Sequence, residues 1–369
     1  MPDVSVVIPS FNRADMVCTA VQSVLQQPGC SVEAIVVDDG SSDDTKDRLF
    51  RAFPGIVHDE GDLFDSQTDS TLADGDLARI HDTFPCVRYR RQPNRGMSPA
   101  NNTGIRMCAG DFIKFLDSDD ELLPDTLGRE IAQARSLQTD VICTGFQERT
   151  YLQGLEVPAL RSHAPPPRLE RGIDDMLTGQ APWTAAALYR RQFIRALRWP
   201  PHIRFGNDWA WAWTVCLAGA RFASLDIESA IYKHHDTSQM TTAQDGFEKS
   251  VIARQQILQM VESLLLAQGL LSQERRYALA QYFFKDALTL CERDPRLLKA
   301  LCKRCEALNP GFRPLIYNPR VRPFVSLLGP YYGVSLYVRA KRQVFSNPGL
   351  KRSAGWILER LGWHYPVRG

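Results

Sequence analysis

Over the first 145 residues the chain alternates between two patterns of apolar and polar positions. Short, nearly continuous apolar runs fall at 4–8, 32–37, 87–91, 112–116 and 140–144. Between them, helix-like patterns occupy about 14–26, 43–53, 98–108 and 124–136. Strands that are apolar on both faces and separated by helices predict an α/β fold, with a mostly parallel central sheet flanked by helices. In such sheets ligands lie beyond the carboxyl ends of the strands. "PSFN", "DDGSSDD" and "DSDDE" each follow a strand directly, so the pattern alone gathers them around one crevice.

The rhythm breaks at 55–85, an acidic stretch containing Gly and Asp that is too long for an ordinary connection. Its core, 57–83, reads as an exposed insertion. Residues 146–182 read as loop, with "HAPPPR" as a stiff turn. An apolar "WTAAALYR" follows, and then "RFGNDWAWAWTVCLAG", where Asp208 and Trp209 are expected to open an apolar helix. From 245 to 306 the pattern is helical again. The organisation expected is a domain over 1–240, a helical extension over 241–310 and a basic, aromatic-rich tail over 311–369.

Composition narrows the class. The chain has 369 residues, 44% hydrophobic and 23% charged, with a net charge of +2, which excludes the strongly basic balance of a nucleic-acid binder. The charge is uneven: 57–83 holds many acids and few bases, and 306–369 holds ten Lys/Arg against two Glu. Nine scattered cysteines, among them Cys18, Cys108, Cys143 and Cys216, read as small core residues of a reducing compartment. Cys302 and Cys305 have zinc-like spacing, but no second pair follows them. The N-terminus enters "VSVVIP" without a basic and long apolar leader, and no apolar run reaches the ~18–20 residues of a spanning helix. A cytoplasmic protein is expected. In the tail, Phe324, Leu327, Leu328, Tyr331, Tyr332 and Tyr337 lie among Arg320, Arg322, Arg339, Lys341 and Arg342. That mixture suits contact with an anionic membrane surface at its inner face. A tail docked on the catalytic domain fits as well, because Gly329 and Pro330 interrupt any long amphipathic helix.

The acids carry the chemistry. In "VVDDGSSDD", Asp38 and Asp39 end a strand, Gly40 permits a turn, and Ser41 or Ser42 can cap the next helix. The alternative is a carboxylate that accepts hydrogen bonds from a nucleobase or ribose. "FIKFLDSDDELLP" crowds Asp117, Asp119, Asp120 and Glu121 at the end of an apolar strand. Helix capping accounts for Asp120 and Glu121 in a first turn, with Asp119 as cap, but it has no use for Asp117. Two aspartates at i and i+2 beside a crevice suit a hard divalent cation such as Mg²⁺ or Mn²⁺, which offsets their repulsion and binds substrate phosphates. In "RQPNRGMSPANNTGI", Ser98 and Pro99 are expected to start a helix, and Arg95 stands where an anion could meet that helix N-terminus.

Together "VSVVIPSFNRADMVCTAVQSVLQQ", "AIVVDDGSSDDT", "NRGMSPANNTGI", "GDFIKFLDSDDELLP" and "FGNDWAW" stand in the order and spacing of family-2 glycosyltransferases, which this sequence resembles over about 2–240. The resemblance implies a GT-A fold, a nucleotide-sugar donor and inverting transfer. Pro9, Phe11 and Asn12 would line the nucleotide pocket, and Asp39, with Asp38, would contact the base. Asp117 and Asp119 would be the DXD carboxylates, Asp119 ligating the metal and Asp117 near the ribose or metal. Asp208 would be the general base; a helix N-cap is its plainer role. His235, one of two adjacent histidines, would approach the diphosphate or metal. Asn101 departs from the family, which often has Arg or Lys there. Trp209, Trp211 and Trp213 cannot all face one side of a helix, so at least one is expected to border the acceptor site.

The expected activity is transfer of a sugar from a UDP-sugar to a glycan or lipid-linked acceptor in cell-surface polysaccharide synthesis. Two other readings share the fold: a sugar-nucleotide pyrophosphorylase and a non-catalytic nucleotide-sugar-binding protein. The first would carry a Gly-rich basic loop where "PSFNRADM" stands, and the second has no use for Asp117, Asp119 and Asp208 together.

Overall fold

The computed structural model describes residues 1–59, 86–152, 155–166, 171–235, 246–290, 295–316 and 321–346. The chain divides into two compact units, Met1–Ile257 and Leu258–Gly369. Most of the 57–83 insertion lies outside the described residues.

The first unit is built on a sheet of ten described strands. In chain order these are β1 (Val4–Ser10), β2 (Val32–Asp38), β3 (Val57–His58), β4 (Cys86–Arg91), β5 (Phe112–Phe115), β6 (Glu121–Leu122), β7 (Val141–Leu152), β8 (Leu155–His163), β9 (Ala187–Arg190) and β10 (Phe222–His235). The spatial order is β3-β4-β2-β1-β5-β9-β7-β10-β6, with β8 paired to β7. Strands β3, β4, β2, β1 and β5 run parallel, whereas β9 is antiparallel to both β5 and β7. The predicted parallel sheet is therefore the first half of a mixed one. Every residue of β1 and β2 is buried, as the continuous apolar runs required.

Helices cover the sheet. Helix α1 (Val17–Leu25) buries Val17, Ala20, Val21 and Val24, an i, i+3, i+4, i+7 stripe. Each such side chain taken from water contributes roughly 1.5–3 kcal/mol. Helices α2 (Thr45–Ala52), α3 (Met97–Met107) and α4 (Leu127–Leu137) follow. Helix α3 approaches β1 so closely that a Cβ on Gly104 would stand 2.2 Å from Val7 Cγ1. Short helices α5 (Ile173–Leu177) and α6 (Arg191–Ile194) precede α7 (Asn207–Leu217).

The expected loop at 146–182 is not one. Strand β7 continues through Leu152 and pairs antiparallel with β8. The hairpin escaped the pattern because polar side chains occupy it in pairs across strands, such as the Tyr151 hydroxyl donating to Glu156 Oε2 at 3.2 Å.

Helix α8 (Gly246–Ala267) crosses the unit boundary, and α9 (Gln273–Leu290), α10 (Pro295–Leu308) and α11 (Arg322–Ser346) follow it. The second unit buries Leu279, Phe283, Phe284 and Cys305. Burial pushes the Cys305 thiol up, in keeping with a core role. Helix α11 is interrupted at Gly329 (φ 79°), followed by Pro330. No described helix is long and apolar enough to cross a membrane.

Candidate active site

The three loops predicted to converge do meet. A cleft of about 690 Å³ opens beyond the carboxyl ends of β1, β2 and β5, within the size range of ligand pockets. Pro9, Phe11, Asp39, Arg95, Asp117, Asp119 and Asp208 all line it.

Asn12 and Asp38, expected in the nucleotide pocket, are not among the lining residues. Asn12 (φ 51°) turns toward the next loop, where its Oδ1 accepts the Ser42 N–H at 2.8 Å and its own N–H donates to Ser41 Oγ at 2.9 Å. Asp38 is buried, and its oxygens accept the Ser41 N–H (2.8 Å) and the Tyr89 hydroxyl (2.6 Å). The seryl caps are also absent: α2 begins at Thr45, whose N–H and hydroxyl both donate to Asp43. Asp39 does face the cleft, but one oxygen accepts Gln92 Nε2 (2.7 Å) and the Arg95 N–H (3.0 Å), and the other the Gly96 N–H (2.7 Å). A carboxylate offers about four acceptor positions, so one remains for a ligand. Helix α3 starts at Met97, not at a Ser98 cap. The buried hydroxyls of Ser98 and Ser10 have no partner and line the same cleft. Their sequence gave no sign of this role.

The loop after β5 is different. Asp117, Asp119 and Asp120 each place a carboxylate oxygen within 4.8 Å of the others. At that separation each charged pair repels by about 3 kcal/mol with an effective dielectric near ~20. The cost shows in their acidities. Burial, then the neighbouring Asp208 and Asp119 charges, pushes Asp117 well up. Burial, then Asp117 and Asp119, does the same to Asp120. Arg13 Nε lies 3.6 Å from Asp119 Oδ2 and offsets part of this. Helix capping fails for the later acids, because α4 begins only at Leu127. Asp120 Oδ1 instead accepts the Lys233 N–H at 2.9 Å, and Glu121, in β6, pairs with the Lys233 ammonium. Asp120 Oδ2 is buried without a hydrogen-bond partner. Crowded carboxylates with an orphaned buried oxygen fit a divalent cation.

Asp208 is the second residue of α7, whose N-cap position is Gly206. Burial pushes its carboxyl up to about 6. The tryptophans after it belong elsewhere. Trp211 stacks on Trp199 at 5.0 Å with planes 3° apart, Trp213 is fully buried, and Trp209 packs edge-on against Trp213. None of the three lines the cleft; Trp183 does, with Phe146, Glu148 and Tyr232. The His235 side chain lies outside the described residues.

Comparison with known proteins agrees with this arrangement. The family model described as "Glycosyl transferase family 2" matches residues 5–58 and 64–198, more than half of the chain. The succinoglycan biosynthesis protein ExoO of Rhizobium meliloti is 36% identical over 135 residues, 36% of this chain and 30% of that protein. The GalNAc(5)-diNAcBac-PP-undecaprenol beta-1,3-glucosyltransferase of Campylobacter jejuni is 32% identical over 134 residues, 36% of this chain and 35% of that one. The chain thus matches about a third of the length of these relatives. The solved structure of S. aureus TarS in complex with UDP-GlcNAc superposes with a TM-score of 0.57 at 15% identity, covering 92% of this chain and 91% of that one, and shows the shared fold. The chain belongs to glycosyl transferase family 2 and has the GT-A fold.

Proposed function

We propose that the chain transfers a sugar from a UDP-sugar to a hydroxyl of a glycan or lipid-linked acceptor, with inversion, in cell-surface polysaccharide synthesis. The observation that carries this reading is one cleft holding both a crowded carboxylate cluster and a separate, half-buried carboxyl, Asp208, raised to about 6. A general base works best with a pKa near the operating pH. The UDP-GlcNAc bound by TarS and the polysaccharide-related names of the relatives support the donor and the pathway class.

Asp39 uses its remaining acceptor position on the base, and Pro9, Phe11 and Arg95 enclose the nucleotide. Asp117 and Asp119, with Asp120 Oδ2 beside them, would hold Mg²⁺ or Mn²⁺, which would supply positive charge against the leaving diphosphate. Asp208 takes the proton from the acceptor hydroxyl as it attacks the anomeric carbon from the face opposite the diphosphate. The catalytic domain is 1–240, 241–310 a helical extension and 311–369 a tail that touches the membrane peripherally. Leu327 and Tyr332, 82% and 69% exposed on α11, support that contact.

The test is release of UDP from a panel of UDP-sugars with Mn²⁺, without and with glycoside acceptors. Turnover that needs Mn²⁺ and falls about 10²–10⁴-fold in Asp208→Asn is expected. Unchanged turnover in Asp208→Asn defeats the base assignment, and formation of UTP and a sugar 1-phosphate once pyrophosphate is supplied, with no UDP released, would mean pyrophosphorylase chemistry.

A further inference from the structure

The cleft has a second wall that no nucleotide contact needs. On β7, Phe146 and Glu148 point to the same side, two residues apart. In register beside them on β10 stand Ala230 and Tyr232, followed by His234. Trp183, just before β9, completes the wall: its ring centroid is 4.6 Å from that of Phe146 and 5.5 Å from that of Tyr232. His163 of β8 stacks on Phe146 at 4.4 Å with planes 9° apart. Glu148 lies between two imidazoles, with His163 Nε2 3.0 Å from one oxygen and His234 Nε2 3.5 Å from the other. Trp183 packs against the buried core as well as lining the cleft, so its ring is fixed.

Topology sets which end of the reaction this wall serves. The Asp39 loop follows β2, and Tyr232 lies on β10, five strands away in the sheet. At ~4.8 Å per strand the two ends stand about 24 Å apart. The Asp117–Asp119 loop follows β5, between them. On the proposed inverting reaction, on which this inference rests, the leaving diphosphate and the attacking hydroxyl occupy opposite faces of the anomeric carbon. A nucleotide on the β1–β2 side therefore sends the acceptor to the β7–β10 side.

We infer that Trp183, Phe146, Tyr232 and Glu148 form an acceptor subsite for a pyranose ring. The faces of aromatic rings are electron-rich and apolar, and match the row of C–H groups on one face of a pyranose. The Glu148 carboxylate, which lines the cleft beside these rings, accepts from a ring hydroxyl. An acyclic polyol offers no continuous C–H face and gains little from this wall. The acceptor class is accordingly a glycan ending in a pyranose, whether free or carried on a lipid.

Saturation-transfer NMR on the full chain with UDP and Mn²⁺ tests this, using methyl β-D-pyranosides as probes and ribitol as the acyclic control. Saturation is expected on C–H protons of one pyranoside face, and little on ribitol. Trp183→Ala weakens pyranoside binding about fivefold or more, the scale of one lost ring contact, while Trp183→Phe retains most of it. Glu148→Ala weakens it further. Circular dichroism confirms that each variant folds. Equal binding of ribitol, or unchanged pyranoside binding in folded Trp183→Ala and Glu148→Ala, overturns the subsite. Loss of UDP-sugar binding with pyranoside binding intact also overturns it, and reassigns the wall to the donor sugar. Absence of UDP release by the unmodified chain counts against the proposed reaction itself, since pyranoside binding is read without turnover.

Discussion

Two acidic loops follow the parallel strands on either side of β1, and the fold treats them in opposite ways. After β2, the carboxylates of Asp38 and Asp39 accept five hydrogen bonds from backbone and side-chain donors. After β5, Asp117, Asp119 and Asp120 stand within 4.8 Å of one another, and one buried oxygen has no partner. The first loop is finished by folding, with a single acceptor position of its cleft-facing Asp39 to spare. The second carries repulsion that folding alone leaves in place. Sites built for a ligand tend to hold charge the protein itself does not neutralise, and the contrast marks which loop is which.

The largest separation between the loops is expected in catalysis. Asp119→Asn removes a ligand for the cation against the leaving diphosphate, a contribution of several kcal/mol. Turnover of the UDP-sugar should drop about a thousandfold, while the melting temperature without divalent ions holds or rises as repulsion is relieved. Asp39→Ala works the other way. Three donors, two of them backbone N–H groups of the α3 entry, lose their acceptor, and each buried unsatisfied group costs about 1–3 kcal/mol. Thermal or denaturant unfolding should show a loss of about 3 kcal/mol. A stabilised Asp39→Ala or a strongly destabilised Asp119→Asn would erase the distinction between the loops.

A direct probe of the second loop is the metal itself. Saturating Mn²⁺, at about a hundred times its dissociation constant, should stabilise the chain by ~2.7 kcal/mol. The gain should vanish on chelation and be absent from Asp117→Asn/Asp119→Asn. A shift that survives in that double variant would place the cation elsewhere.

Much of this contrast could be read from the chain and some could not. Continuous apolar runs predicted β1, β2, β4 and β5, because a strand buried on both faces has no polar positions to obscure it. The β7–β8 hairpin, half-exposed and rich in paired polar side chains, left no such trace. Crowding singled out Asp117 and Asp119 correctly as cleft residues. Along the chain Asp120 reads as a first-turn helix residue, because its actual partner, the Lys233 N–H, is 113 residues away. The same distance effect hid Trp183. Its role depends on β7, β9 and β10 arriving side by side, whereas Trp211 and Trp213 turn into the interior and the half-buried Trp209 packs against Trp213.

The smallest effect is the pH dependence of stability, and its sign separates the two kinds of carboxylate. Asp3, Asp43 and Asp140 are held below the usual carboxylate range by hydrogen bonds that outweigh their partial burial. Their contribution is present above pH ~4 and is lost as pH falls further. Asp208 is raised, to about 6, by burial. The folded state favours its neutral form, so its contribution is full below pH ~4 and disappears as pH rises through about 6. Asp117 and Asp120, also raised, act in the same direction. Without divalent ions the melting temperature should therefore decline gently between pH 4 and 6.5. The decline should be shallower in Asp208→Asn, which cannot charge, and should flatten when Mn²⁺ is added, because a bound cation favours the ionised cluster. A melting temperature that rises over this interval in the metal-free chain would mean that the second loop is as well compensated as the first.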